Sequence, residues 1–243
     1  MKKLIFSIIS IALLGCSAQD GSEISAPVSE SISEENGLPP TSNGSTEQNN
    51  EEEGETSFPN GDSAILFVGN SLTYFNDLPK LVENEAVKKG YKVNTDMLAK
   101  PNYAILDHWA EGQVQELIIN GTYDYLIIQQ GPSSQPWGRQ VLLEYGEKFS
   151  ELCSSNGTEL VYFMVWPSLS YYHTFPGVID NYREASLNTN SILCPVGEVW
   201  KNHFDKSGDF SYYGTDGFHP SLKGSQVAAG VIASKLYNKK PKN

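Results

Sequence analysis

The sequence predicts an α/β domain, a three-layer α/β/α sandwich around a parallel, flavodoxin-like sheet. Three observations carry this. Short apolar runs, AILFV (64–68), YLII (125–128) and LVYFMV (160–165), read as strands buried on both faces. Between them lie longer stretches in which apolar residues recur at helical spacing. Strands and helices therefore alternate along the chain, as crossover connections of a parallel sheet require.

The elements follow in order. Ala64 to Val68 is the first buried strand, and Pro79 to Lys89 a helix that Pro79 can start and Gly90 can end. Tyr91 to Leu98 is a weaker strand, and Ala104 to Ile119 is helical in pattern. Tyr125 to Ile128 is a strand, followed by a helix from Arg139 to Cys153. The strand Leu160 to Val165, a helix from Val178 to Leu187, a short strand from Ile192 to Val196 and a last helix from Leu222 to Tyr237 complete the domain. Pro195 to Trp200, after the fifth strand, is assigned a packing role.

Ahead of this domain the composition changes twice. MKKLIFSIISIALLGC begins with two lysines and continues as an apolar run from Leu4 to Leu14. That run is shorter than the ~20 residues a bilayer-spanning helix needs, so it reads as an export signal. Residues 17–60 are rich in Ser, Glu, Asn, Gly and Pro, and the first aromatic is Phe58. Such a segment cannot bury enough apolar surface to offset its ordering entropy and is expected to be a disordered acidic linker. The expected organisation is thus a signal (1–16), a linker (17–60) and one folded domain (61–243).

The formal charge of −12 belongs mainly to the linker, which carries ten acids and no Lys or Arg. After Asn60 there remain fifteen basic and nineteen acidic residues, a net −4. This is no footprint for a nucleic-acid partner. Cys153 and Cys194 lie in no CxxC or Cys/His pattern that would suggest a metal. They could pair outside the cytoplasm or be two separate buried thiols. Nucleotide-binding glycine patterns are absent, and no cofactor is implied.

In a parallel sheet the chemistry belongs to loops after strands. The first strand runs into Gly69-Asn70-Ser71-Leu72-Thr73, where a glycine beside a serine permits a tight turn that presents the hydroxyl. Taken alone, that turn also fits ordinary helix-cap chemistry. Before the last helix stands Asp216-Gly217-Phe218-His219-Pro220. Asp and His three residues apart can set a carboxylate on one imidazole nitrogen and leave the other to act as a base. His108 and Trp109 read as a structural pair in a helix. His173 sits in the aromatic loop Trp166 to His173, whose rings could stack on sugar faces or cover the pocket.

GNSLT after the first strand and DGFHP before the last helix resemble the first and last blocks of the SGNH (GDSL-type) hydrolase family. The resemblance spans Ser63 to Tyr237 and implies a serine esterase with Ser71 as nucleophile, His219 as general base and Asp216 orienting it. The family's two middle blocks supply oxyanion donors, a Gly N–H and an Asn amide. Here Pro101-Asn102-Tyr103 and Gln129-Gln130-Gly131-Pro132-Ser133-Ser134 stand in their place, as in a subgroup with a GNS first block and a Gln-bearing third block. Asn102 and Gln130 are the expected oxyanion or substrate-binding residues, with Gln129 and Ser133 in reserve. Leu13-Leu14-Gly15-Cys16 resembles the bacterial lipobox, which implies lipidation at Cys16 and an exported protein anchored to a membrane surface. The expected substrates are small acyl esters, acetyl groups on carbohydrate among them. A non-catalytic glycan-binding lipoprotein and a lipid-ester hydrolase are the competing readings.

Overall fold

The computed structural model describes residues 62–237. The expected export signal, Cys16 and the whole of the expected acidic linker lie outside the described residues.

β1 (Asp62–Gly69) lies inside the sheet, with β2 (Lys92–Ala99) on one side and β3 (Tyr125–Ile128) on the other. β4 (Glu159–Phe163) and β5 (Ile192–Cys194) continue it, giving the order β2-β1-β3-β4-β5 with every pair parallel. Burial explains the order. Ile65 to Val68, Leu126 to Ile128 and Val161 to Phe163 are buried, as central strands demand. β2 is half polar (KVNTDMLA) with exposed positions, which suits an edge.

The chain turns twice after β1, through α1 (Ser71–Tyr74) and a 3₁₀ turn (Phe75–Asp77), before α2 (Leu78–Val87). α3 (Ile105–Glu111) and α4 (Gln113–Asn120) connect β2 to β3, α5 (Pro136–Ser155) connects β3 to β4, and α6 (Phe175–Asn188) connects β4 to β5. α7 (Val196–Ser207) and α8 (Leu222–Leu236) follow β5. Right-handed crossovers that run one way from β1 to β2 and the other way from β3 to β5 put their helices on opposite faces. Accordingly α2 packs on α8, while α3, α4 and α5 pack together and α5 on α6.

Several elements differ from expectation, α6 and β4 in their bounds alone. The helix expected over Ala104 to Ile119 is two helices, because Gly112 takes φ 79 and its left-handed turn ends the first. The fifth strand stops at Cys194, and the segment given only a packing role starts α7, whose Val196, Trp200 and Phe204 are all buried at four-residue spacing. α5 starts at Pro136, three residues before the expected Arg139, since proline serves well in a first turn. Cys153 and Cys194 are free, buried in α5 and β5, and burial pushes both thiols up to about 12. Among the described residues no helix is long and apolar enough to cross a membrane.

Candidate active site

The direction of strand order reverses between β1 and β3, and the loops leaving these two strands meet there. Gly69 ends β1 in a space that admits no side chain. An added Cβ would stand 2.4 Å from Thr73 Oγ1 and 2.6 Å from Gln129 Oε1. Asn70 then caps α1, its Oδ1 accepting from Leu72 N at 3.1 Å and its Nδ2 donating to Tyr103 O at 3.0 Å. Ser71 follows as the first helical residue, so its N–H has no intrahelical acceptor.

At the opposite end of the chain, Asp216 organises its own turn. Its Oδ1 accepts from the N–H groups of Phe218 and His219, each at 2.9 Å, and its Oδ2 meets His219 Nδ1 at 2.6 Å. The hydrogen bond from the imidazole, with that from the Phe218 amide, holds the Asp216 carboxyl below the usual carboxylate range. A carboxylate can only accept, so Nδ1 carries the proton and Nε2 presents its lone pair. Ser71 Oγ lies 2.9 Å from that Nε2. Serine, histidine and aspartate are thus joined in one relay across 148 residues of sequence.

The relay is held from several sides. Phe75 stacks on His219 with ring centres 4.1 Å apart and planes at 13°. Trp166 Nε1 donates to Phe218 O at 3.0 Å, and Leu169 N to Gly217 O at 2.8 Å. Asn76 takes φ 55, a conformation asparagine tolerates better than most residues, and its Nδ2 donates to Pro220 O (3.1 Å) and Ser225 Oγ (3.0 Å). This bond ties the serine turn directly to the histidine turn.

The other side of Ser71 is built from three loops. Gln129 is fully buried, and its Oε1 accepts from Asn70 N and Thr73 Oγ1, both at 2.9 Å. Its Nε2 is buried with no partner among the described residues. Gln130 turns to the second loop, where its Oε1 accepts from Ile105 N at 2.9 Å, and its backbone oxygen accepts from the Tyr182 hydroxyl. Asn102 occupies an exposed turn with φ 61. Ser71 Oγ makes its hydrogen bond to His219 and none to Asn102 or Gln130. Ser133 is buried and its hydroxyl donates to Gly131 O at 2.9 Å.

His108 reaches further into this site than a paired helix residue would. It is buried under the end of β1, where Nε2 donates to Gly69 O at 2.7 Å; burial pushes its pKa down. Sequence reading missed Phe75, Asn76 and Gln129 as site-building residues. Only Gln129 left a trace there, as a reserve beside Gln130. A pocket of about 570 Å³ adjoins the relay, lined among others by Pro132, Gln135, Pro167, Tyr171 and Phe218. His173 lies on the same loop as Tyr171 and is exposed.

No family model matches the sequence, and no curated protein matches it either. Solved structures do. A protein from Slackia heliotrinireducens assigned to the SGNH hydrolases superposes with TM-score 0.62 at 20% identity, over 72% of this chain and 99% of that one. The fold is that of the SGNH hydrolases. A lipase/acylhydrolase from Enterococcus faecalis shares it with TM-score 0.59 at 16% identity, over 74% of this chain and 99% of its own. So does an acetyl-xylooligosaccharide esterase from Geobacillus, with TM-score 0.53 at 15% identity, over 74% and 97%. In this SGNH fold, Ser71 and the Asp216–His219 pair sit at the carboxyl ends of the strands, where open α/β sheets bind ligands.

Proposed function

We propose that this protein is a serine esterase that removes acetyl or other small acyl groups from carbohydrate. The observation that carries the reading is the relay Ser71 Oγ to His219 Nε2 (2.9 Å) and His219 Nδ1 to Asp216 Oδ2 (2.6 Å). Ser71 Oγ attacks the ester carbonyl while His219 takes its proton, and Asp216 stabilises the imidazolium without itself being protonated. His219 then returns the proton to the leaving alcohol, and water attacks the acyl-serine by the same base.

The tetrahedral oxyanion needs donors already in place. The Ser71 N–H at a helix start is one. Gln130 is proposed as a second: Ile105 N–H fixes which end of its amide is oxygen, so the NH₂ is the end left to donate. Asn102 on the adjoining loop is the third candidate. The proposed setting is an exported lipoprotein held to a membrane surface through Cys16, supported by the Leu-Leu-Gly-Cys pattern at the end of the apolar run.

The purified protein should hydrolyse p-nitrophenyl acetate, and Ser71→Ala should lower the rate by at least ~10⁴-fold. A fluorophosphonate probe should label the wild type and leave the variant unlabelled. Undiminished hydrolysis by Ser71→Ala would remove Ser71 as nucleophile. Failure of the wild type to be labelled would favour a glycan-binding protein on the same fold.

A further inference from the structure

Resting on the esterase reading, we infer that the pocket beside His219 is the subsite for the alcohol part of the ester. Its occupant is a neutral pyranose ring stacked on Tyr171.

Position comes first. In acyl transfer the leaving oxygen takes its proton from the histidine, so the alcohol must lie on the histidine's side of the serine. Phe218, the residue before His219, lines the pocket, while no residue of the Gly69 to Thr73 turn does. The remaining walls come from the loop after β3 and the loop after β4. With a volume of about 570 Å³, it is far larger than an acetyl group needs and falls within the range of small-molecule sites.

The lining chemistry selects the occupant. Flat apolar surfaces (Tyr171, Phe218, two prolines) alternate with the hydroxyls of Ser134 and Thr174 and the amide of Gln135. A pyranose has the same mixture, apolar C–H faces bordered by hydroxyls. A long acyl chain would offer no partner to the Ser134 hydroxyl or the Gln135 amide. None of the lining residues is charged, so a carboxylated sugar or a phosphate headgroup would meet no counter-ion.

Tyr171 is the platform. Its side chain is 63% exposed, an unusual outlay of aromatic surface on an ordered loop. That loop is fixed by Tyr171 N donating to Ser168 O (2.9 Å), by Thr174 Oγ1 donating to Tyr171 O (2.8 Å) and by the Leu169 bond to the histidine turn. Trp137, two residues beyond the pocket-lining Gln135, is 64% exposed.

The test compares the full-length wild type, Tyr171→Ala and Tyr171→Phe on acetylated xylotetraose, acetylated tri-galacturonate and ethyl acetate. Binding of unacetylated xylotetraose is followed in parallel by titration calorimetry. In the wild type kcat/KM should favour acetylated xylotetraose over both other esters. Tyr171→Ala should cut the ratio of xylotetraose ester to ethyl acetate about 10-fold, mainly through KM. Tyr171→Phe, which keeps the ring, should restore it to within about 2-fold, a rescue that a merely structural role for the hydroxyl would not give.

Preference for the galacturonate ester, or an unchanged ratio in Tyr171→Ala, would overturn the subsite. Calorimetry separates the two readings. Xylotetraose bound by the wild type and released by Tyr171→Ala upholds the subsite even if no ester is cleaved, which would sink the esterase reading alone. Absence of sugar binding and of any sugar preference in the wild type overturns the subsite and leaves the esterase reading to the Ser71 tests.

Discussion

The two sides of Ser71 are constructed in opposite ways. The base side is local: the turn from Asp216 to Pro220 contains the carboxylate, the imidazole and the amides that orient them, with Asp216 Oδ1 taking both N–H groups of its own turn. The side proposed to hold the oxyanion is assembled from afar. Gln129 reaches back 59 residues to Asn70, Asn70 reaches on 33 residues to Tyr103, and Gln130 holds Ile105. A turn that carries its own hydrogen bonds keeps its geometry wherever it is attached. A site stitched from three loops depends on every strand end being in register.

That contrast predicts where substitutions hurt most. Among the residues that flank Ser71, Asp216→Asn should have the largest effect, because an amide can present its NH₂ to Nδ1 and favour the tautomer with the proton on Nε2. Initial rates on p-nitrophenyl acetate should fall about 10³- to 10⁴-fold with melting little changed. A fall of less than ~10-fold would show that the turn works without its carboxylate. Gln130→Ala comes next, with kcat lowered about 10²- to 10³-fold if its amide meets the oxyanion. It should also lose about 1–3 kcal/mol of stability, since Ile105 N–H is left without its acceptor. Stability loss without loss of kcat would reduce Gln130 to a strut between two loops and pass the donor role to Asn102.

The same contrast explains what could be read from the chain. Strand and helix order was legible because β1, β3 and β4 are uninterrupted apolar runs, and because each of those runs is covered by helices on both faces. Ser71, Asp216 and His219 stood out for a related reason: each lies in a short local pattern, and the structure brings the three together. α7 was missed although Val196, Trp200 and Phe204 already showed helical spacing, masked by Pro195 and Gly197 at its start. Phe75, Asn76 and the anchoring role of Gln129 could not be read, because each acts on a residue more than fifty positions away. No local pattern encodes such a contact. Gln129 and Gln130 are neighbours on an extended segment, so their side chains diverge to two different loops, and only the sheet decides which loop each one meets.

His108 offers the gentlest probe of the stitched side, because it pins the carbonyl of Gly69 two residues before Ser71. Burial disfavours its charged form and lowers its pKa in the fold, and the Gly69 oxygen opposes this only in part. Above the unfolded value of ~6.5 both states hold it neutral and it leaves stability unaffected. As pH falls below that value the unfolded chain takes the proton first, so the folded state loses stability until the pH passes the lowered folded value. Asp216 also has a lowered pKa, but its contribution is present above the ordinary carboxylate range and is lost only as pH falls through the folded value, a separate and more acid window. Replacing His108 with Gln keeps a donor for Gly69 and removes the titration. Urea unfolding at pH 7, 6 and 5 should therefore show wild-type stability declining more steeply than that of His108→Gln, the two curves converging as pH falls. Parallel curves would mean that the proton enters elsewhere, and that the clasp on Gly69 is indifferent to acid.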